Sequence, residues 1–473
     1  MDVVAASEMT AIAAGGAERV RRWVGASPEW IVFALGALLR LRLRESFDPN
    51  WSYDVTPHTE YVAYIVDHHA LPPLDAQREA CNQPLYYVIA ALITAAGGTY
   101  ADVQLVSIFS GIATLALIWV ALRRFFPNDR VARLFGLSIA AVLPCAIHSD
   151  GMITNEALLG AMSTAALLFV PPTMEASGRR RWLAGMLLGL FFALALLTKI
   201  SPILFCFAFA GGAVAALVWD REGGVIASAR RRLPLVVGVS IALAVALPVN
   251  ARHYASTGLL FPTGYDTARV HDVSAIPLWR RRPLAFYVAP CKASLIGQPY
   301  YPNCSSPDAR FAPVLVATTF GDYYNYRYAG FPQGDEPTVL ANGRDLSVRA
   351  LRWMRASILA GFSIATVTVL GLCAALRGAL KSKNAVIVTG VLVSVIAVLG
   401  QLLWSVRYPY DGFGPIKGSY LQFASAPLFL FFGGACSCLW KRRGWKVLAW
   451  AQIFAIATVA GYSIFARSHG FYD

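Results

Sequence analysis

Charged residues are scarce in this chain. Asp, Glu, Lys and Arg make up 14% of its 473 residues, where soluble domains carry about 25%, so an ordinary soluble protein is excluded. Acids are the scarcer sign, 27 against 41 bases. A net charge of +14 would suit nucleic acid if it formed one patch. Most of the bases instead fall in short clusters between apolar runs, as in the cytoplasmic loops of membrane proteins, and no nucleic-acid partner is expected. The eight cysteines form no CxxC pair and no Cys/His spacing typical of zinc. Residues 1–27 lack the charged, apolar, then cleavage-site order of a removable signal peptide. Two repeated halves with charges in mid-span, the mark of many coupled transporters, are not evident either.

Apolar sequence is abundant, at 57% with a mean hydropathy of +0.52. A membrane span needs about 20 apolar residues at 1.5 Å each, and basic clusters mark the cytoplasmic ends. The first span is 29–43, with Arg19, Arg21 and Arg22 before it on the inside. Arg40, Arg42 and Arg44 at its outer end break that rule locally. Residues 45–82 form an outer loop. The stretch 84–97 is apolar but short and ends in Gly97-Gly98, so it reads as an interfacial helix. Making it a span would turn Arg123, Arg124, Arg130 and Arg133 outward. Further spans follow at 103–122, 134–147, 157–170, 182–197, 202–218, 235–249, 351–376, 385–404, 421–439 and 448–465, about eleven in all. Pro144, Pro202, Pro248 and Pro427 are candidate helix breaks. The polar stretch 250–349 is the largest outer loop. Within it, Cys291 and Cys304 read equally as a disulfide or as two free thiols. The expected fold is an all-α polytopic bundle: 1–28 cytoplasmic, 29–249 in the membrane with a first outer loop over 45–100, 250–349 outside, and 350–473 in the membrane.

This topology sends the unusual polar residues to one side. Asp54, His58 and Glu60 lie within seven residues just after the first span. Acids so near a bilayer are costly unless they face water, a partner or a substrate. Asp150, Asn155, Glu156, Lys199, Asn250, Arg252, Arg407 and Lys417 fall on the same side. A transferase at the outer leaflet needs a carboxylate to take a proton from an acceptor and cations for a leaving phosphate. Asp54, Asp150 and Glu156 offer the first, and Lys199, Arg252 and Lys417 the second. Each residue singly also reads as a solvated loop group or a snorkelling interface cation. Their convergence points to chemistry.

Several short motifs recur in a telling order: Asp54-x-x-x-His58-x-x-Tyr61, Gln83-Pro84-Leu85-Tyr86-Tyr87, Thr154-Asn155-Glu156 and Leu197-Thr198-Lys199. Asn250-Ala251-Arg252 with Gly258 to Pro262 follows, then Lys417-Gly418-Ser419-Tyr420 with Pro427. Together they resemble the GT-C superfamily of lipid-linked-sugar glycosyltransferases, and most of all the protein O-mannosyltransferases and lipid A aminoarabinose transferases. The resemblance covers most of the chain, although no motif is specific alone. It implies a GT-C fold, a polyprenyl-phosphate sugar donor, inversion at the anomeric carbon and Asp54 as catalytic base. It further implies that Lys199, Arg252 and Lys417 hold the donor phosphate. His58, Glu60, Gln83, Tyr86, Tyr87, Asp150, Asn155, Glu156 and Tyr420 would line the substrate site. The chain departs from the pattern in three places. Val55 follows Asp54 where paired acids are common, Gln83-Pro84 stands for Pro-Pro, and Asn155-Glu156 stands for Asn-Asp. Some members use a divalent metal and others none. For a magnesium or manganese ion the donors would be Asp54, His58 and Glu156, beside the reading of His58 as a hydrogen-bonded loop residue.

The expected function is sugar transfer from a polyprenyl phosphate to a glycolipid, polysaccharide or protein acceptor. The expected place is a bacterial inner membrane, with the N-terminus in the cytoplasm and the active site facing the periplasm. A lipid-linked saccharide transporter and an O-antigen ligase or polymerase with a diphosphate-linked donor are the alternatives.

Overall fold

The computed structural model describes residues 28–50, 54–220, 224–267, 282–289, 310–321, 338–341, 344–408 and 416–465. Cys291 and Cys304 lie outside these residues. Seventeen α-helices are described: α1 Glu29–Ser46, α2 Val55–His68, α3 Leu85–Ala95, α4 Tyr100–Phe125, α5 Arg130–Val142, α6 Pro144–Gly151, α7 Glu156–Glu175, α8 Gly178–Thr198, α9 Phe205–Trp219, α10 Gly224–Thr257, α11 Gly264–Thr267, α12 Leu284–Val288, α13 Phe311–Phe320, α14 Val348–Ser382, α15 Ala385–Arg407, α16 Ser425–Leu439 and α17 Arg443–Phe465. A short antiparallel pair, β1 Thr338–Ala341 and β2 Arg344–Ser347, precedes α14.

Among the described residues, eight helical stretches are long and apolar enough to cross a membrane, or nine if the pair α5 and α6, bent by 46°, is one crossing. The sequence reading has about eleven, and its other two spans fall on α1 and α17. Helix α1 is rich in charge, with Glu29, Arg40, Arg42, Arg44 and Glu45, and the structure pairs each of them. Glu29 meets Arg133 at 2.6 Å, Arg40 meets Asp150 at 2.8 Å, Arg44 meets Asp102 at 3.1 Å, and Arg42 pairs with Glu45 on its own helix. The arginines that break the basic-inside pattern are thus neutralised where they stand. Asp102 is itself held, because its carboxylate accepts from the Thr99 backbone N–H at 2.8 Å in a capping box that starts α4.

Of the four candidate breaks, Pro144 starts α6 after extended Leu143 and makes the bend. Pro202 lies in a 3-10 turn, Ser201–Leu204, at the head of α9. Pro427 falls in the first turn of α16, where its missing N–H is harmless. Pro248 breaks nothing. Helix α10 runs through it to Thr257, about two turns beyond the expected end at 249, so Asn250 and Arg252 ride on a helix rather than in a loop.

Two apolar clusters organise the bundle. One joins α4, α5, α14, α16 and α17 around Leu115, Phe135, Ile364 and Phe432; the other joins α7, α8, α9, α10 and α15 around Leu188, Phe192, Phe205 and Val393. A third, with Tyr61, Tyr86, Tyr87, Val103 and Ile153, fastens α2 and the short apolar α3 onto α4 and α7. Many large apolar side chains stay exposed, among them Leu190, Phe207, Val214 and Leu247, as expected of helices whose solvent is lipid.

Helices α8 and α10 touch backbone to backbone. A Cβ on Gly189 would stand 2.7 Å from the Gly238 carbonyl oxygen, and one on Gly238 would stand 2.3 Å from that of Gly185. Such small-residue seams let membrane helices approach closely. Gly238→Leu is expected to cost about 1–3 kcal/mol through forced separation of α8 and α10. A lowered thermal midpoint of the detergent-purified protein would show it, and an unchanged midpoint would remove the seam from the account.

Candidate active site

Four pieces of chain distant in sequence meet at one end of the bundle. Asp54 precedes α2, Glu156 begins α7, Lys199 ends α8, and Lys417 precedes the 3-10 helix Gly418–Ala424. Lys417 is 2% exposed and places its ammonium 3.4 Å from Asp54 Oδ2, while Arg78 reaches Asp54 Oδ1 at 3.3 Å. Asp54 itself keeps 13% of its side chain exposed. The Tyr420 ring stands between two cations, with Lys199 Nζ 4.6 Å and Lys417 Nζ 5.3 Å from its centroid, distances at which cation–π attraction operates. Lys199 then pairs with Glu156. The result is a continuous row: Arg78, Asp54, Lys417, Tyr420, Lys199, Glu156.

The electrostatics follow from the packing. Burial alone would raise the Asp54 pKa, but Lys417, Arg78 and His58 outweigh it and hold the carboxyl below its ordinary value. Burial would likewise strip the proton from Lys199, yet Glu156 and Tyr420 reverse that and keep it firmly an ammonium. His58 is shifted the other way. Burial lowers its pKa against the pull of Glu79 and Asp54, so the imidazole is neutral at pH 7.

His58 belongs to a second network beside the row. Its Nδ1 lies 2.9 Å from the Tyr87 hydroxyl, which also accepts from Asn82 Nδ2 at 3.1 Å. Tyr61 stacks on Tyr87 with centroids 3.9 Å apart, and Tyr86 meets it edge-on. Burial raises the Tyr87 pKa well above its ordinary value, so its hydroxyl keeps its proton. These rings hold α2 against α3 and thereby aim Asp54.

The other expected site residues divide. Gln83 Nε2 donates to Asn250 Oδ1 at 3.2 Å, and Arg252 donates to the Pro72 carbonyl at 2.5 Å. Both contacts tie the segment between α2 and α3 to α10, and Arg252 contacts the backbone carbonyls of Leu71 and Pro72. Asn155 donates to the Thr198 carbonyl at 3.4 Å, which sets α7 beside the end of α8. Glu60 is exposed on α2. Asp150 has its ion pair outside the row, buried against Arg40.

Three contributors went unread in the sequence: Arg78, Asn82 and Thr318. A signal for Arg78 existed, since it is the one Arg or Lys between residues 45 and 99, among seven acids. Thr318 carried none. Its hydroxyl accepts from the Gly418 backbone N–H at 3.0 Å, and a Cβ at Gly418 would press within 2.6 Å of the Thr319 backbone. That close approach is what seats Lys417.

The suggested metal donors do not converge. Asp54 is committed to Lys417 and Arg78, His58 to Tyr87, and Glu156 to Lys199, and no group of three ligands suited to a metal occurs among the described residues. The residues present fit an anion better than a cation.

Residues 82–251 match the family model described as dolichyl-phosphate-mannose-protein mannosyltransferase. No curated protein sequence gives a significant match. Among solved structures, the oligosaccharyltransferase of Archaeoglobus fulgidus in its apo form aligns with a TM-score of 0.53 at 13% identity, over 95% of this chain and 57% of that one. The chain has the GT-C fold. The archaeal oligosaccharyltransferase AglB from the same organism, in complex with an inhibitory peptide and a dolichol-phosphate, gives a TM-score of 0.51 at 12% identity, over 94% and 56% of the two chains. The chain therefore spans a little over half the length of those structures. ArnT from Cupriavidus metallidurans bound to undecaprenyl phosphate is a weaker likeness, with a TM-score of 0.41 at 15% identity over 93% and 78%.

Proposed function

We propose that this protein is an inverting glycosyltransferase that moves a sugar from a polyprenyl phosphate to an acceptor outside the cytoplasm, working at the periplasmic face of a bacterial inner membrane. One observation carries the reading: a part-exposed carboxylate, Asp54, clasped by Lys417 and Arg78, with Lys199 close behind Tyr420. The acceptor hydroxyl or amine attacks the anomeric carbon from the face opposite the phosphate. The bond from that carbon to the phosphate oxygen breaks as the new bond forms, and Asp54 takes the acceptor proton. Polyprenyl phosphate departs with its charge spread over Lys417, Arg78 and Lys199. The mannosyltransferase model over 82–251 supports a donor of this class, as does the likeness to an enzyme solved with dolichol-phosphate and a peptide.

The clasp makes the donor part of the base's activation. Without a phosphate, Lys417 and Arg78 bear on the carboxylate and weaken it as a base. A phosphate drawn between them shares those cations, and Asp54 gains proton affinity when the acceptor needs it. The pH dependence has a definite sign. With its pKa depressed below the ordinary 3.8, free Asp54 loses its charge only below that value. Lys417→Gln removes one of the two clasping cations, so the acid limb of kcat/KM, which reports the free enzyme, is expected to move to higher pH. The plateau should fall by about 10²-fold or more. A limb that stays in place would dissociate Lys417 from Asp54.

The function itself is tested in proteoliposomes given synthetic polyprenyl monophosphate and diphosphate sugars with an acceptor extract. Release of polyprenyl phosphate, with an inverted linkage on the acceptor, is expected from the monophosphate donor. Movement of intact lipid-linked sugar across the bilayer without transfer would replace this reading with transport.

A further inference from the structure

An apolar cavity of about 560 Å³ lies toward the other end of the bundle, between α4, α7, α14, α15 and α16. Its depth can be read along α7. Glu156 at the first residue of α7 belongs to the active-site row, whereas the cavity touches α7 from Thr164 to Pro171, about 12–22 Å further along the axis. Phe125, Leu167, Leu370, Ala374, Gly390 and Phe431 supply much of the wall. Water needs two to four polar partners to occupy such a space, and among the described residues the Thr164 hydroxyl is the one buried polar side-chain group of the lining left without a partner. Thr389 donates to the Ala385 carbonyl, and Asp129 accepts from the Ala132 N–H to cap α5. An alkyl chain suits the walls.

The charges beside the cavity select the kind of chain. On α14, Leu370 and Ala374 form a stripe that continues on the same face to Arg377 and Lys381, both exposed. Exposed Lys383 leads into α15, where Val386, Ile387 and Gly390 face the cavity. Cys438 and Leu439 of α16 line it just before exposed Lys441 and Arg442. The acids nearby are already engaged: Asp129 as a helix cap, and Glu175 with Arg124 at 3.3 Å. We propose that this cavity binds one acyl chain of an anionic phospholipid from the leaflet facing these basic loops, with its phosphate among Arg377, Lys381 and Lys441. Basic pockets between membrane helices hold anionic headgroups by this combination of charge and apolar depth. A sugar donor would not use these cations, because its phosphate belongs beside Lys417 at the opposite end.

The test uses the full chain purified in mild detergent, with native mass spectrometry after addition of phosphatidylglycerol or phosphatidylcholine. About one retained phosphatidylglycerol per chain is expected, in preference to phosphatidylcholine. Ala374→Leu with Gly390→Leu fills the space, since a Cβ at Gly390 meets nothing nearer than 3.6 Å. It should reduce retention at least about tenfold while sugar transfer with supplied donor is unchanged. Arg377→Gln with Lys381→Gln, on the exposed surface, should abolish the preference for the anionic lipid at an unchanged thermal midpoint. Equal retention of both lipids by the wild type, full retention by the filled variant, or displacement of the bound lipid by polyprenyl phosphate would each overturn the proposal. None of these outcomes depends on whether Asp54 is a catalytic base.

Discussion

Asp54→Asn is expected to lower sugar transfer by about 10²–10⁴-fold, the range associated with loss of a positioned general base. The substitution keeps the shape of the side chain, so the meeting of α2 with the 3-10 helix Gly418–Ala424 should survive. What changes is charge. Lys417, 2% exposed, and Arg78 lose the carboxylate that faces them, and a donor phosphate becomes the natural anion for both. Donor binding should therefore tighten as turnover collapses. This split separates a base from a residue that merely binds or supports. Steady-state transfer rates read one side, and binding of polyprenyl phosphate to the purified variant reads the other. Wild-type turnover by Asp54→Asn would remove Asp54 from the chemistry. Loss of turnover together with loss of donor binding would recast it as a structural residue.

Arg40→Leu is expected to cost about 3–5 kcal/mol of stability, because it strands the Asp150 carboxylate among apolar helices. Arg40 Nε donates to Asp150 Oδ2 at 2.8 Å, and its Nη1 donates to the carbonyls of Gly36 and Ala141 at 3.0 Å each. The pair lies against Gly111, where a Cβ would stand 2.2 Å from Asp150 Cγ. Glycine at 111 is thus what lets α4 close over the ion pair. Arg40→Leu combined with Asp150→Leu removes both charges, and much of the lost stability should return. Thermal unfolding of the single and double variants in one detergent gives the comparison. A double variant no more stable than Arg40→Leu would show that the pair is not the cause. Transfer by the folded fraction of Asp150→Asn should stay near wild type, the opposite of what a substrate ligand predicts.

The fold class was legible from the chain because it depends on local or one-dimensional properties. Twenty apolar residues in a row must form a helix in lipid, since no water is there to satisfy the backbone. Segregation of the basic clusters gives those helices an expected orientation without reference to any contact. The shortness of 84–97 was visible for the same reason, and it appears as the eleven-residue α3. The motif order carried Asp54, Glu156, Lys199, Lys417 and Tyr420, all of which the fold brings into one row.

Only the tertiary structure decided which polar residues on that side work together. Asp150 and Asp54 look alike in sequence, each an acid near the outer end of a span. One is sealed by Arg40 because a bend at Pro144 and a missing side chain at Gly111 turn it inward. The other faces Lys417, 363 residues away. Arg252 reads in the sequence as a phosphate ligand, and the structure alone shows that the two extra turns of α10 bring it to the Pro72 carbonyl. Arg78 passed unnoticed because its role rests on a 3-10 turn packed beside α2, which no periodicity announces. Pairing of charges depends on distances of 3–4 Å between segments hundreds of residues apart, and a linear pattern of apolar and polar residues does not encode them.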